Sequence, residues 1–187
     1  MRPSDNPFAS RRIDTLGFRF QRSSLDGVIS GLAANRGRGA VVGQHGAGKT
    51  TLFDALAGHL EGEVVRIRLG TDTKRPFESA VRSLPPLIVP HHAVLLDGAE
   101  QLDWWSWRRI LDKLRAAGTL VITSHKPGRL PTVYTCQTDP ALLRNLVSEL
   151  APEIVEKFDL DDLFHRHAGN IRDCFRELYD LCAQHGV

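Results

Sequence analysis

The sequence predicts an α/β protein: a three-layer α/β/α core around a parallel five-stranded sheet, followed by a small all-helical lid. Three observations carry this expectation. Short apolar runs alternate with helical patterns up to about residue 137, the order that gives a parallel sheet covered by helices. One run, HAVLLD, is apolar until its last residue, as a strand buried on both faces is. Beyond residue 137 only helical patterns remain.

Taken in order, residues 1–22 are rich in Pro, Ser and Arg and read as an irregular lead-in. Residues 23–137 form the expected core and 138–187 the expected lid. In LDGVISGLAANR, the residues Leu25, Val28, Ile29 and Leu32 fall at helical spacing. RGAVVG is a compact apolar strand that runs into GQHGAGKTT and a helix through Leu52, Leu56 and Leu60. EVVRIRLG alternates Val65, Ile67 and Leu69 against Arg66 and Arg68, the pattern of a half-exposed edge strand. A helix near 76–84 ends at Pro85-Pro86. HAVLLD is then the third strand, expected at the centre, and a helix over 103–116 leads to the strands GTLVITS and PTVYTC. Within that helix, Trp104, Trp107, Leu111 and Leu114 share the face expected to be core. Trp105 falls on the other face with Arg108, Arg109 and Asp112, its ring expected to lie under the arginine stems.

The lid opens with Asp139 as N-cap and Pro140 in the first helical position. Short helices are expected over 152–158 and 161–168, and a last one over 170–184. In that last helix Ile171, Cys174, Phe175, Leu178 and Cys182 form an apolar stripe, and Arg172 lies off it.

Composition bounds the function. With 42% hydrophobic and 25% charged residues the chain has the ordinary balance of a globular protein. A net charge of +2 gives no indication of nucleic acid, which stays open as a partner. No segment has the apolar length of a membrane span or a signal-peptide core. Three cysteines without CxxC spacing read as buried, reduced thiols, and a cytoplasmic location is expected. His91-His92 and His165-x-His167 have no Cys or carboxylate at ligand spacing in the sequence, so no metal site is expected there.

The residues that carry chemistry begin at Gly43. Gly43, Gly48, Lys49 and Thr50 complete the pattern G-x4-G-K-S/T between an apolar strand and a helix. Glycines let the backbone wrap a phosphate with its N–H groups inward, and the helix that starts there points its positive end at the same anion. Gly46 and Thr51, inside the same run, join the binding candidates. Lys49 is expected on the β- and γ-phosphates and Thr50 on Mg²⁺. Asp97 ends HAVLLD, 48 residues after Lys49, where a carboxylate gives Mg²⁺ its second anchor. Position 98 is Gly, and Glu100 is the nearest acid that could orient an attacking water. Thr123, Ser124 and His125 close GTLVITSH, where a polar group can reach the γ-phosphate or that water.

This succession (phosphate loop, Asp97, a polar strand end, and a helical lid carrying Gly169-Asn170-x-Arg172) resembles the AAA+ ATPases. It is most similar to the branch that includes origin-recognition, clamp-loader and transposition-helper ATPases. The resemblance implies ATP with Mg²⁺ as the ligand. Thr123–Ser124 would be the first sensor and Arg172 the second, and hydrolysis would be coupled to a conformational change on a protein partner, with a homo-oligomer possible. It also implies an arginine finger, for which Arg129 is the first candidate and Arg144 the second. Gly98 stands where that family usually has Glu, which leaves a nucleotide-gated switch with little hydrolysis as an alternative, and a small-molecule kinase as another. An ABC-type reading lacks an LSGGQ-like run before Asp97. The absence of an N-K-x-D guanine motif leans towards adenine.

Overall fold

Each apolar run becomes a strand, and every strand lies parallel to its neighbours. In the computed structural model, which describes residues 5–185, the strands are β1 (Arg38–Gly43), β2 (Glu63–Arg68), β3 (His92–Asp97), β4 (Thr119–Ser124) and β5 (Thr132–Cys136). The helices are α1 (Ser10–Ile13), α2 (Leu25–Ala34), α3 (Lys49–Ala57), α4 (Pro76–Arg82), α5 (Trp104–Lys113), α6 (Pro140–Leu150), α7 (Leu160–Arg166) and α8 (Ile171–His185). The chain divides into two compact units. One comprises residues 20–43 and 49–136; the other comprises the segment ending at Arg19, residues 44–48 and the chain from Gln137 onward.

The sheet unit has the strand order β2-β3-β4-β1-β5. β2 is an edge, as its alternating pattern predicts, and only Val65 and Ile67 of it are buried. β3 is internal and buried up to Asp97. Ala40, Val42, Val94, Leu96, Leu120 and Ile122 point to one face, where they pack with Ala80 of α4 and with Trp107, Ile110 and Leu114 around α5. Val41, Leu95 and Val121 occupy the alternate, opposite-facing positions. On that side α3 meets β1 and β3, and α2 meets β1 and β5. The result is a three-layer α/β/α sandwich.

The helical unit has its own core, in which Leu143, Val147, Ile154, Leu163, Cys174, Leu178 and Cys182 are buried. The stripe of α8 is therefore inward, as expected, and all three cysteines are buried free thiols. Asp139 caps α6 by accepting from Leu142 N.

Four local expectations need correction. The lead-in is not wholly irregular: it carries the one-turn helix α1, and Phe8 and Leu16 sit in the helical core. Phe8 stacks on Phe175 at 5.8 Å, and Asn6 Nδ2 donates to Tyr179 O. The helix expected over 152–158 is only a 3-10 turn at Pro152–Ile154, because the chain must turn between α6 and α7. A second 3-10 turn, Ala99–Gln101, precedes α5. Finally, Trp104 is not core. It is 57% exposed, and the buried face of α5 is instead Trp107, Ile110 and Leu114. Trp104 occupies the first position of the helix, where it lies beyond the sheet's cover, with its ring edge-to-face on Trp105 and the Arg108 guanidinium 5.4 Å from its centroid. The Arg108 guanidinium thus lies over Trp104 and not over Trp105, which is 73% exposed. Among the described residues no helix is long and apolar enough to cross a membrane.

Candidate functional site

The sheet unit brings its polar residues together at the carboxyl ends of β1, β3 and β4. This follows from topology: in a parallel sheet all strands finish on the same side, and ligands of open α/β sheets bind outside those ends. α3 begins at Lys49, whose side chain is buried and donates through Nζ to Gly43 O at 2.6 Å. Thr50 Oγ1 donates to Asp97 Oδ2 at 2.9 Å, and Thr123 Oγ1 donates to Asp97 Oδ1 at 2.7 Å. Both oxygens of Asp97 are therefore held by hydroxyls. Thr123 is fully buried, and its Oγ1 also accepts from Gly98 N at 2.7 Å. A hydroxyl and a carboxylate side by side make the all-oxygen donor pair that a hard divalent cation such as Mg²⁺ takes. Thr51 follows in α3, half-buried.

Gly98 explains the departure after Asp97. Its φ is +84°, in the left-handed region, and a Cβ there would fall on the Leu69 carbonyl oxygen. No side chain fits that position without moving the end of β2, so an acid directly after Asp97 is sterically excluded. The turn carries the chain instead into Ala99–Gln101, where Glu100 Oε1 lies 3.1 Å from His125 Nε2. Ser124 is buried and bound to its own chain, donating to Lys126 O at 2.8 Å.

Residues 44–48, which belong to the helical unit, carry Gly46 and Gly48 of the G-x4-G-K-T run. Gly46 has φ +70°, and a Cβ on it would strike Asn170 Oδ1 and lie 3.2 Å from the Arg172 backbone N. The loop is thus shaped against the start of α8, and Arg172 itself is exposed. Asn170 caps α8 in a reciprocal pair with Asp173: Asn170 Oδ1 accepts from Asp173 N, and Asn170 Nδ2 donates to Asp173 Oδ2.

Both finger candidates have partners within their own units. Arg129 donates to Leu102 O and lies 5.1 Å from the Trp107 ring. Burial pulls its pKa down, and Glu100 and Asp103 oppose that shift. Arg144 pairs with Asp161 at 2.7 Å on the surface.

Cys136, on β5, has its thiol pushed up to about 12 by burial, with Lys49 opposing. The Cys174 thiol rises to about 11 for the same reason.

Sequence reasoning missed three pairings. Asp97–Thr123 and Glu100–His125 each join residues about 25 apart. Their signal was available, since all four end or follow two apolar strands that a βαβ order sets parallel. The third is at His91-His92, where a carboxylate does approach. The register of β2 on β3 sets Glu63 opposite His92, with Glu63 Oε2 3.5 Å from His92 Nε2. Val89 N donates to His92 Nδ1, so the neutral ring carries its proton on Nε2, the atom that faces Glu63. Glu63, His91 and His92 offer ligand atoms that all lie within 4.8 Å of one another, so the expectation that no carboxylate stands near His91-His92 does not hold.

Compared with known proteins, the chain matches no family model and no curated protein. Among solved structures, Cdc6p from Pyrobaculum aerophilum superposes on 97% of this chain with a TM-score of 0.62 and 14% sequence identity. This chain spans 66% of the length of that structure. Similarity at that level of identity speaks for the fold. The chain shares the three-layer α/β fold of that structure.

Proposed function

We propose that this chain binds ATP with Mg²⁺ and hydrolyses it, using binding and hydrolysis to change its conformation on a protein partner. One observation carries the reading. At the end of a complete phosphate-loop motif, Thr50 and Thr123 hold the two oxygens of the strand-end Asp97. Loop amides and Lys49 would take the phosphate charge, as preorganised donors aimed at an anion do. Thr50 and Asp97 would hold Mg²⁺, which supplies charge neutralisation at the β- and γ-phosphates. Lys49 now donates to Gly43 O, so it exchanges that bond for phosphate oxygens when nucleotide enters. Glu100 or Ser124 would orient the water. Arg172 takes the sensing role that its Gly-Asn-x-Arg context suggests, supported by its position next to Gly46.

A second reading, a nucleotide-gated switch with little turnover, is favoured by Gly98, which removes the usual acid from the position after Asp97. One experiment separates the two. ATP·Mg²⁺ affinity and turnover are measured over a hundredfold range of protein concentration, for the parent and for Lys49→Ala. The hydrolytic reading expects measurable turnover in the parent, and the switch expects binding with none. Loss of affinity in Lys49→Ala by about a thousandfold, on the order of 4 kcal/mol, is expected on either. Unchanged affinity in that variant would sink both.

A further inference from the structure

His91 ends the turn before β3, His92 opens β3, and Glu63 opens the neighbouring edge strand β2. Backbone contacts hold the three in place. Glu63 N donates to His91 O at 3.1 Å, and Gly118 N donates to His92 O from the β4 side. Gly62, at φ +89°, lets the chain pass so close to His91 that a Cβ would fall 1.8 Å from its carbonyl oxygen. The two imidazole rings lie 4.7 Å apart between centroids. One ligand atom from each of Glu63, His91 and His92 lies within 4.8 Å of the other two. Glu63 and His91 are exposed whereas His92 is buried, so the cluster has one fixed member and two that can close on it. Glu63 Oε2 and His92 Nε2 stand 3.5 Å apart. That is long for a hydrogen bond, but two ligand atoms bound at about 2.1 Å to a tetrahedral ion are separated by about 3.4 Å.

We propose that Glu63, His91 and His92 form a second binding site on this chain, for a divalent transition-metal ion of the Zn²⁺ class. Two imidazole nitrogens and one carboxylate oxygen are the donor set that such ions take, while Mg²⁺ and Ca²⁺ prefer oxygen alone. Three protein ligands leave one tetrahedral position to water. The site is separate from the phosphate loop: it lies at the amino ends of β2 and β3, and Asp97 ends β3 five residues further on, about 16 Å along the strand. An ion there joins the exposed edge strand to its neighbour by side chains as well as by backbone, so it acts on the stability of that edge. One contact opposes it. Val89 N donates to His92 Nδ1 at 3.2 Å. With metal on Nε2, the neutral ring must carry its proton on Nδ1 instead. Nε2 then loses its proton to water as Nδ1 gains one, and Val89 N–H turns to water, which it can reach because Val89 is only half-buried. One long hydrogen bond between neutral groups is exchanged for three metal–ligand bonds, a trade that favours the ion.

The test titrates the full chain, without nucleotide, with Zn²⁺ alone by calorimetry, and follows thermal melting on the same samples. The parent should bind the ion at this site and melt at a higher temperature with it than without. Glu63→Ala and His91→Ala remove exposed ligands. Each should weaken Zn²⁺ about a hundredfold and abolish the shift in melting, while melting without metal stays at the parent's value. His92→Gln should weaken the ion as well, but its side chain is buried, so the two exposed variants decide the matter if it does not fold. His167→Ala, in the His165-x-His167 run, should leave the affinity unchanged, and a large excess of Mg²⁺ should not displace the Zn²⁺. A parent that takes up no Zn²⁺ overturns the proposal. So does Zn²⁺ that Glu63→Ala and His91→Ala fail to weaken, or that His167→Ala or Mg²⁺ removes, because the ion then sits elsewhere.

Discussion

In the sheet unit, neighbours are assigned by backbone register: Arg38 faces Leu120, Glu63 faces His92, Arg68 faces Asp97. In the helical unit they are assigned by side-chain shape, and Phe8 comes from the far end of the chain to stack on Phe175. The difference matters for chemistry. Register fixes where each strand ends, so Asp97, Thr123 and His125 are delivered to one edge with little freedom. Helices packed by knobs of leucine and phenylalanine tolerate small shifts, which suits a unit whose Asn170 and Gly46 meet at the start of α8.

The comparison can be broken most directly at Phe8. Phe8→Ala empties a buried site and should cost roughly 3–5 kcal/mol. Hydrogen exchange should speed up in α6 to α8 and remain slow in β1, β3 and β4; equal acceleration in both units would show that they unfold as one. Next is Gly98→Ala, which places a Cβ against the Leu69 carbonyl in a left-handed turn and should cost about 2–3 kcal/mol. Here the exchange should quicken at the ends of β2 and β3, and the helices should not respond.

Alkaline titration gives a smaller effect. Thiols of unfolded chains ionise near 8.5–9, whereas burial holds Cys136 and Cys174 protonated until about 12 and about 11. A raised folded pKa means the stability is complete below about pH 9. Above it the unfolded state gains by ionising, and each thiol then loses about 1.4 kcal/mol per pH unit. Melting temperature should fall from pH 9 to 11, and replacing both cysteines with Ala should flatten that slope. The smallest effect is at Arg144→Ala. Its pair with Asp161 is exposed, so stability should change by less than about 1 kcal/mol, and a turnover unchanged by it would remove Arg144 as a finger.

Much of this was legible in the sequence, and the reason is local. The internal strands β1, β3 and β4 are contiguous apolar runs, the edge strand β2 alternates, and the G-x4-G-K-T run is contiguous as well. Asp97 was legible because it ends such a run. Contacts that depend on two distant runs were not: Glu63 opposite His92 needs the register, and Glu100 beside His125 needs the order of β3 and β4. Trp104 was misplaced because helical spacing defines a face but not where the sheet beneath it stops. Phe8 was overlooked since one aromatic in a polar stretch has no periodicity to announce it.

The turn at Gly98 also constrains how this sequence can change. Any change of residue at this position adds a Cβ, which meets the Leu69 carbonyl oxygen. A lineage taking that step would have to reshape the end of β2 together with the turn, so single changes are channelled to the positions on either side of residue 98.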